Sequence, residues 1–556
     1  MGMLIRNASI ITLDEHRPTA HRIGIDSGVI VGLDEELDGL RFDTTVDAHG
    51  SVIVPGFNDA HAHSVWFGLT LSELDLSPAR SAQEIYQLLA SLSRQLGRGE
   101  WLIAAGFNPL AFGGINLAIA AVDKAAGGHP VWIKHTSGHA CFANTAALHI
   151  IGIDRYLVDG IPGGAVLVDD HRNPTGVLEE NAMRLIQNEV LPYSLVDIAG
   201  ALERATKQYL TEGITSVTDA GIAGGWIGHS PREFAAYQNA LDTDRLLTRM
   251  QTMIALDALH DLGGNEGDPG VIGLDAGIRT GVGSARLQVG PVKVFIDGSL
   301  LGSTAYMTDN YEGSAHNQGY LQQDPDEVGD LALRAYRGGW SLAMHAIGDR
   351  AVDLAIDIIS SAEKSFGRHR IPSRIEHGGV IRPDQIDTLV RARIPVVPQP
   401  HFITTYGDGM LERLGPQRAN WSYRARSLID SGLYLPGSSD RPVANGAPLA
   451  VMQAFVERLT ASGVVYGAEE RLTAMQALHA YTRGSAQVTG WDHKKGRLMR
   501  GMLADLAILA DDPTRVESGQ IGSIEVLATV LDGDFAFDSV GMAGTQSPAQ
   551  SAAPHE

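Results

Sequence analysis

Short apolar segments that alternate with helical patterns run through the middle of this 556-residue chain. Such alternation is typical of βα units around a parallel sheet, and most neighbouring segments lie about 30 to 40 residues apart, the size of one unit. Eight segments resemble strands, and eight strands close a (β/α)8 barrel. The sequence therefore predicts an α/β fold, a TIM-like barrel, with strands at Val52–Phe57, Ile214–Asp219, Thr248–Ile254, Val292–Ile296, Leu342–His345, Ile375–His377, Pro395–Pro398 and Tyr434–Ser438.

The gap between the first two predicted strands is too long for a single helix. Structureless loops of that length are uncommon in compact domains. We therefore expect residues 66–205 to form a large insertion subdomain, placed over the active site of a barrel domain that spans residues 55–489.

Both ends of the chain carry short β segments separated by turn signals. Neither end has enough strands to be stable alone, so we expect residues 1–54 and 490–540 to pair into one small, discontinuous β-sandwich domain. Residues 541–556 contain almost no large apolar side chains, which predicts a disordered tail.

Two histidines separated by one residue, His61 and His63, follow the first predicted strand. Side chains alternate faces along a strand, so both imidazoles would point the same way and could bind one metal ion. The chain has 20 histidines, and any one of them is more often a surface or hydrogen-bonded core residue than a ligand. The pair gains weight only if further ligands lie at the ends of other strands.

The active site of such a barrel lies at the carboxyl ends of its strands. Four further residues whose side chains could bind a metal lie at predicted strand ends: Lys293, His345, His377 and Asp440. Each alone has a structural alternative, such as a salt-bridged lysine, a core histidine or a helix-capping aspartate. Six such residues at one mouth favour a metal site over six separate structural roles.

Composition excludes several classes of partner. The formal net charge of −22 argues against nucleic acid and anionic membranes. A single cysteine, Cys141, excludes an intramolecular disulfide and a cysteine-rich zinc cluster. With no signal-peptide pattern and no apolar stretch of membrane-spanning length, we expect a cytoplasmic protein that acts on a small molecule. Whether it forms a homo-oligomer is left open.

The chain resembles metal-dependent hydrolases of the amidohydrolase superfamily, and within it the branch of YtcJ-like proteins and N-substituted formamide deformylase. The matching segments occur in the expected order along nearly the whole chain. They are Pro55–His63, Gly138–Leu148, Gly213–Gly221, Lys293–Ala305, His345–Arg350, Arg374–Gly378, Gly437–Pro442 and Gly501–Asp505.

This resemblance implies a role for each predicted site residue. His61 and His63 would bind the more buried metal, and Lys293 would be a carboxylated bridging ligand. His345 and His377 would bind a second position. Asp440 would be a ligand and the general base. The cofactor would be Zn²⁺, bound as one or two ions, or another divalent metal in its place. An unmodified Lys293 would favour a site with a single ion.

The expected reaction is hydrolysis of a C–N bond other than a peptide bond, in an amide or an N-acyl or N-formyl amine. Zinc lowers the pKa of its bound water to about 7 and polarises a carbonyl, and the hydroxide would attack while Asp440 moves the proton. His377 or His345, if not fully engaged by metal, would stabilise the oxyanion instead. Asp59 would orient a ligand imidazole, although it could equally be a turn residue.

For the substrate side, the candidates are His139, Asn144 and the aromatic side chain of Trp66. A loop-stabilising hydrogen bond is an equal alternative for His139. Three other functions use the same scaffold: a deaminase, an ester, lactone or carbamate hydrolase, and, more remotely, a non-catalytic barrel. The sequence does not identify which amide is cleaved.

Overall fold

The computed structural model describes residues 2–109, 116–154, 161, 163–225, 227–266, 269–545 and 547–548. The chain forms two compact units. The first comprises Met1–Ala62, Thr206–Gly221 and Leu241–Glu556, and the second comprises His63–Ala205 and Ile222–Ala240.

The first unit contains a mostly parallel, nearly closed barrel sheet, as the sequence predicts for an α/β TIM-like fold. Seven strands are hydrogen-bonded in the order Val396–Val397, Arg374–His377, Leu342–Ala346, Leu287–Phe295, Arg249–Ala255, Ile214–Ile222 and Phe57–Ala62. The helices between and after the strands are Leu195–Thr211, Glu233–Asp242, Pro325–Arg337, Asp349–Phe366, Pro383–Ala392, His401–Ala419, Ala425–Asp430, Pro448–Glu457, Ala474–His479 and Ser485–Val488.

The first barrel strand differs from the predicted one. Val52–Pro55 pairs with Ser9–Asp14 and Leu506–Leu509 in another sheet, and the barrel strand is Phe57–Ala62. The chain crosses between the two sheets at Gly56, where a Cβ atom would lie only 2.4 Å from the Thr215 side chain. An apolar run that looked like one strand is therefore two strands in different sheets.

The predicted eighth strand, Tyr434–Ser438, is not a regular strand. The N–H of Gly437 donates to Ala480 O at 2.8 Å instead of to a neighbouring strand. The segment nevertheless fills the eighth position, because Ala60 N–H donates to Gly437 O at 3.0 Å on one side and the Ser438 hydroxyl donates to Pro398 O at 2.9 Å on the other.

Two further sheets join the ends of the chain. The first has the order Ser547–Pro548, Thr44–Asp47, Gly2–Arg6, Ile23–Asp26 and Val29–Leu33. The second has the order Asp534–Asp538, Val526–Leu531, Leu506–Leu509, Val52–Pro55, Ser9–Asp14 and Arg17–Ala20. They share one apolar core that includes Ile5, Val46, Ile53 and Val530.

The predicted disordered tail, residues 541–556, starts too early. Met542 is buried in the same core, and Ser547 pairs with Thr45. Met542 is the one large apolar side chain of that polar stretch, and its burial fixes the turn around it. The rest of the predicted tail lies outside the described residues.

The second unit has its own sheet and core. Its strands follow the order Gly164–Val168, Pro174–Glu180, Ala140–Ala143, Val131–His135, Leu102–Phe107 and Leu74–Asp75. Its further helices are Ser64–Thr70, Ala82–Ser93, Ile119–Ala126, Thr145–Ile150 and Arg184–Val190. Ile85, Leu89 and Val122 pack with Leu102 and Ile133 in one apolar cluster. No helix in the described part of the chain is long and apolar enough to cross a membrane.

Candidate metal centre at the strand ends

Three of the predicted ligands meet at the carboxyl end of the barrel. One ligand atom each from His61, His377 and Asp440 lies within 4.8 Å of the other two. His61 Nε2 is 3.3 Å from Asp440 Oδ1, and the two imidazole centroids are 4.9 Å apart. All three side chains are buried. Two imidazoles and a carboxylate at this spacing suit one divalent cation such as Zn²⁺.

Two of these residues have an uncommon backbone conformation. His377 has a φ of 72° and Asp440 a φ of 58°. Residues other than glycine rarely adopt this left-handed region, and the cost is of order 1–3 kcal/mol each. The surrounding hydrogen bonds maintain the conformation at Asp440, whose N–H donates to His61 O at 2.7 Å.

Lys293 adjoins the three-residue group. Its Nζ atom is 3.5 Å from His61 Nε2 and 5.0 Å from the centre of the Phe295 ring. Burial lowers the pKa of Lys293 to about 8, although the carboxylates of Glu376 and Asp440 oppose the shift. An amine this close to an imidazole is a ligand only if it loses its positive charge.

His345 lies beside His377, with ring centroids 4.5 Å apart. Its Nε2 atom is 3.1 Å from Gly298 O, so Nε2 carries the proton and donates it to that carbonyl. Nδ1 is then the nitrogen with a lone pair for a metal. His345 is outside the three-residue group.

His63 starts the second unit and is also outside that group. It is buried at the N-terminus of the helix Ser64–Thr70, and its ring centroid is 5.8 Å from that of Trp66. Its role as a ligand stays a prediction.

Glu376 and Gln399 fix the imidazoles, and sequence reasoning gave neither of them a role. Glu376 accepts a hydrogen bond from His61 Nδ1, and Gln399 Oε1 accepts one from His377 Nδ1 at 2.7 Å. Both rings are thereby held as the tautomer with a lone pair on Nε2, the usual arrangement around a metal-bound histidine. Burial lowers the pKa of His377 to about 3, so this ring stays neutral.

Arg374 is the counter-ion of the Glu376 carboxylate. Its guanidinium donates to Glu376 Oε1 at 2.6 Å and to Ala60 O at 2.7 Å. Burial alone would raise the pKa of Glu376, but Arg374 and His61 together bring it well below its usual range. The available signal was alternation: Arg374 and Glu376 are two residues apart on one strand, and so lie on the same face.

Asp59 hydrogen-bonds the backbone at two points of the site, and its role in orienting a ligand imidazole stays a prediction. Its carboxylate accepts the N–H groups of His61 and Ser439, both at 3.1 Å, and the Ser439 hydroxyl at 2.5 Å. Burial raises the pKa of Asp59 to about 6, although these hydrogen bonds lower it. Because Ser439 precedes Asp440, Asp59 links the His61 strand to the segment that carries Asp440.

The three predicted substrate residues all lie in the second unit. Asn144 caps the helix Thr145–Ile150 by accepting Ala147 N–H at 3.1 Å, and it also bonds Val131 N–H and His129 O. These bonds use its amide in the fold, so we do not assign it to a substrate. His139 Nδ1 bonds the Glu180 carboxylate at 3.0 Å. Trp66 lines a slot with Trp132.

Known proteins resemble this chain over almost its full length. A model of the amidohydrolase family matches residues 44–537. A putative amidohydrolase, YtcJ, of Bacillus subtilis (strain 168) is 28% identical over 541 residues, which cover 95% of this chain and 98% of the relative. N-substituted formamide deformylase of Arthrobacter pascens is 25% identical over 562 residues, covering 97% and 99%.

A solved structure has the same fold. The uncharacterized metal-dependent hydrolase from Pyrococcus horikoshii OT3 superposes with a TM-score of 0.72 at 25% identity. The match covers 93% of this chain and 99% of that chain.

Proposed function

The chain belongs to the amidohydrolase family and is a metal-dependent hydrolase, and we propose that it cleaves a C–N bond other than a peptide bond, in an amide or an N-acyl or N-formyl amine. The observation that carries the proposal is the buried group of His61, His377 and Asp440, with its nitrogen and oxygen ligand atoms within 4.8 Å of one another. The deformylase relative, named for its action on N-substituted formamides, supports the choice of bond.

The residues present fit a divalent metal, for which we propose Zn²⁺. His61, His377 and Asp440 would hold it, and we propose Lys293, His345 and His63 as further ligands. Carboxylation of Lys293 would turn a cation that repels metal into an oxygen-bearing anion. When bound, such a metal acts as a Lewis acid and lowers the pKa of water to about 7.

Asp440 is the proposed general base and acid. Its Oδ1 atom is 3.3 Å from His61 Nε2, which supports a place for the carboxylate beside the metal that His61 would hold. The carboxylate would accept the proton of the attacking water and deliver it to the leaving nitrogen. Glu376 and Gln399 keep the protons of His61 and His377 on Nδ1, so the Nε2 lone pair of each ring would be used by the metal and would not compete with Asp440 for that proton.

A substrate screen on metal-loaded protein tests this function. N-formyl, N-acetyl and longer N-acyl amines would be compared with esters, lactones, carbamates and amidines, with amine release measured against ammonia release. We expect turnover of amides with release of an amine. Ammonia release from amidines would identify a deaminase, and turnover of esters alone would identify an esterase. No turnover of any compound would contradict the proposal.

A further inference from the structure

A cleft in the first unit lies at the amino ends of the barrel strands, away from the metal centre. The segments that line it include residues 279–282, Gly339 and residues 368–371, which precede the strands Leu287–Phe295, Leu342–Ala346 and Arg374–His377. These three strands are parallel neighbours in the sheet, so their amino ends meet at one edge. His345 and His377 lie at the carboxyl ends of two of the same strands. The cleft and the metal centre are therefore at opposite ends of the barrel.

The cleft has the size of a small-molecule site and a basic lining. Its volume is about 510 Å³, within the range of roughly 300–1,000 Å³ that is typical of ligand pockets. Val282 and Ile371 contribute apolar surface, and Arg279, Arg368 and Arg370 contribute three guanidinium groups. None of the described residues in this lining is an aspartate or a glutamate. The positive charge is local, because the formal net charge of the chain is −22.

Arg279 has no carboxylate partner. Its side chain is exposed, and its guanidinium forms no hydrogen bond or ion pair within the described part of the chain. By contrast, Arg249, Arg382 and Arg441 each pair with at least one carboxylate. The chain has 65 acidic against 43 basic residues, so the unpaired charge of Arg279 is a property of the cleft and not the result of a shortage of acids.

The Arg279 side chain lies against two other residues of the lining. A Cβ atom at Gly339 would be 2.5 Å from Arg279 Cδ and 2.8 Å from its Nη1 atom, so the glycine lets the guanidinium approach that loop. On another side, the charge of Arg279 adds to the effect of burial and lowers the pKa of His369. The guanidinium is thus at the wall of the cleft, beside an imidazole that is neutral at pH 8.

The other two guanidinium groups differ in how they are neutralised. Arg368 Nε forms an ion pair with Glu363 Oε2 at 2.9 Å. Arg370 Nη2 lies 2.9 Å from His493 Nε2, and burial together with the Arg370 charge lowers the pKa of His493, so this partner carries no negative charge. Among the described residues, the guanidinium groups of Arg279 and Arg370 are therefore the two in the lining without a carboxylate partner.

This arrangement favours a ligand with two negative charges. Guanidinium groups bind phosphate and carboxylate oxygens through paired, charge-assisted hydrogen bonds. A phosphate monoester carries a charge of about −1.5 to −2 at pH 7, which matches two unneutralised arginines, whereas a single carboxylate would leave one of them unpaired. The volume of the cleft leaves room for an organic group beside Val282 and Ile371.

We propose that this cleft binds a small organic phosphate, a monoester whose dianion is bound by Arg279 and Arg370 and whose organic group packs on Val282 and Ile371. The site lies at the opposite end of the barrel from the metal centre. The proposal therefore goes beyond the proposed function and does not depend on which bond the enzyme cleaves.

Isothermal titration calorimetry of the metal-loaded, full-length protein at pH 8 tests the class of ligand. The probe is phenyl phosphate, and phenyl sulfate has a similar shape with one negative charge instead of two. We expect phenyl phosphate to bind at least about tenfold more tightly than phenyl sulfate, and more tightly than inorganic phosphate. Equal binding of phenyl sulfate, inorganic phosphate or the dicarboxylate succinate would contradict a phosphate monoester.

Two variants test the position of the site. Arg279→Gln and Arg370→Gln should each weaken the binding of phenyl phosphate by about 10- to 100-fold, because each removes a charge-assisted contact. Arg500→Gln is the matched control, since Arg500 is an exposed arginine of the same unit outside the lining. It should leave the affinity within about twofold of the wild-type value. All three side chains are exposed, so thermal unfolding should be unchanged.

The same variants distinguish the cleft from the metal centre. Phenyl phosphate bound at the metal centre would keep its affinity in Arg279→Gln and Arg370→Gln. An affinity that is unchanged in both variants, or no binding to the wild-type protein, would overturn the cleft as a phosphate site and leave the proposed function intact. If no amide is hydrolysed, the proposed function fails while the expected binding and its loss in the two variants stay the same.

Discussion

The imidazoles of the first unit's metal centre and the Tyr193 hydroxyl of the second unit differ in how their hydrogen bonds are made. In the first, Glu376 and Gln399 each accept a ring N–H and fix the imidazoles of His61 and His377. In the second, the Tyr193 hydroxyl is buried without a hydrogen-bond partner among the described residues. The fold thus fixes the second nitrogen of each of these imidazoles, whereas it gives the Tyr193 hydroxyl no such contact.

The largest expected effect is a loss of activity without a loss of folding in a variant of the first unit. Asp440→Asn should lower kcat by at least about 10³-fold, because an amide cannot accept the proton of water. Thermal unfolding should stay near the wild-type value, since Asn is isosteric and the N–H of residue 440 still bonds His61 O. Steady-state kinetics checks the first point, and activity within tenfold of wild type would exclude Asp440 as the base.

The next effect tests whether the charge of Glu376 fixes the His61 imidazole. Glu376→Gln should weaken metal affinity by about 10- to 100-fold and lower the free energy of unfolding by roughly 3 kcal/mol, because Arg374 is left buried without its carboxylate. The metal affinity is measured by competition with a chelator, and the free energy of unfolding is measured by denaturant titration.

Arg374→Met in the same chain is the matched control. The double variant should recover much of the stability but not the metal affinity. If the double variant regained both, the role of Glu376 would be only to neutralise Arg374, and the account of the imidazole tautomer would be wrong.

A smaller effect concerns pH in the second unit. The folded-state pKa of His135 is about 4, below its ordinary value near 6.5, so between these values the unfolded chain binds more protons. Stability should therefore be full above pH 6.5 and fall by roughly 1–2 kcal/mol as the pH drops to 5. His135→Asn, which keeps an acceptor for Ser137 N–H, should flatten this slope in denaturant titrations. An unchanged slope would place the titrating group elsewhere.

The smallest effect tests the unpaired hydroxyl directly. Tyr193→Phe should leave the free energy of unfolding unchanged or raise it by up to about 1 kcal/mol, because a buried group without a partner is removed. Tyr86→Phe, which removes the hydroxyl that accepts the Ala118 N–H at 3.0 Å, should lower the free energy of unfolding by a similar amount. Destabilisation by Tyr193→Phe as large as that by Tyr86→Phe would show that Tyr193 has a partner in the fold, and the contrast between the two units would disappear.

Much of the barrel could be predicted because its rule is simple. Apolar strands at regular spacing place their last residues at one mouth, and this located His61, Lys293, His345, His377 and Asp440. The predicted strands were wrong where the choice of neighbouring strand decides which sheet a segment joins. Val52–Pro55 is as apolar as a barrel strand but pairs with Leu506–Leu509, more than 400 residues away along the chain.

The supporting residues of the site were harder to predict. Glu376 and Gln399 carry common side chains, and only their contacts with His61 and His377 distinguish them from surface residues. Asn144 was predicted from its place in a polar cluster of the inserted region, and the sequence did not reveal that its amide caps the helix Thr145–Ile150. Local patterns predict position along a strand, but long-range hydrogen bonds decide the role.

The most direct test of the central claim is the divalent metal content of the purified full-length protein, measured by mass spectrometry for the wild type and for His61→Ala, His377→Ala and Asp440→Ala. We expect at least about one equivalent of zinc or a similar metal per chain in the wild type, and a large loss in each variant while the far-ultraviolet circular dichroism is retained. A wild-type protein that neither contains nor takes up a divalent metal, or variants that keep the full amount, would contradict it.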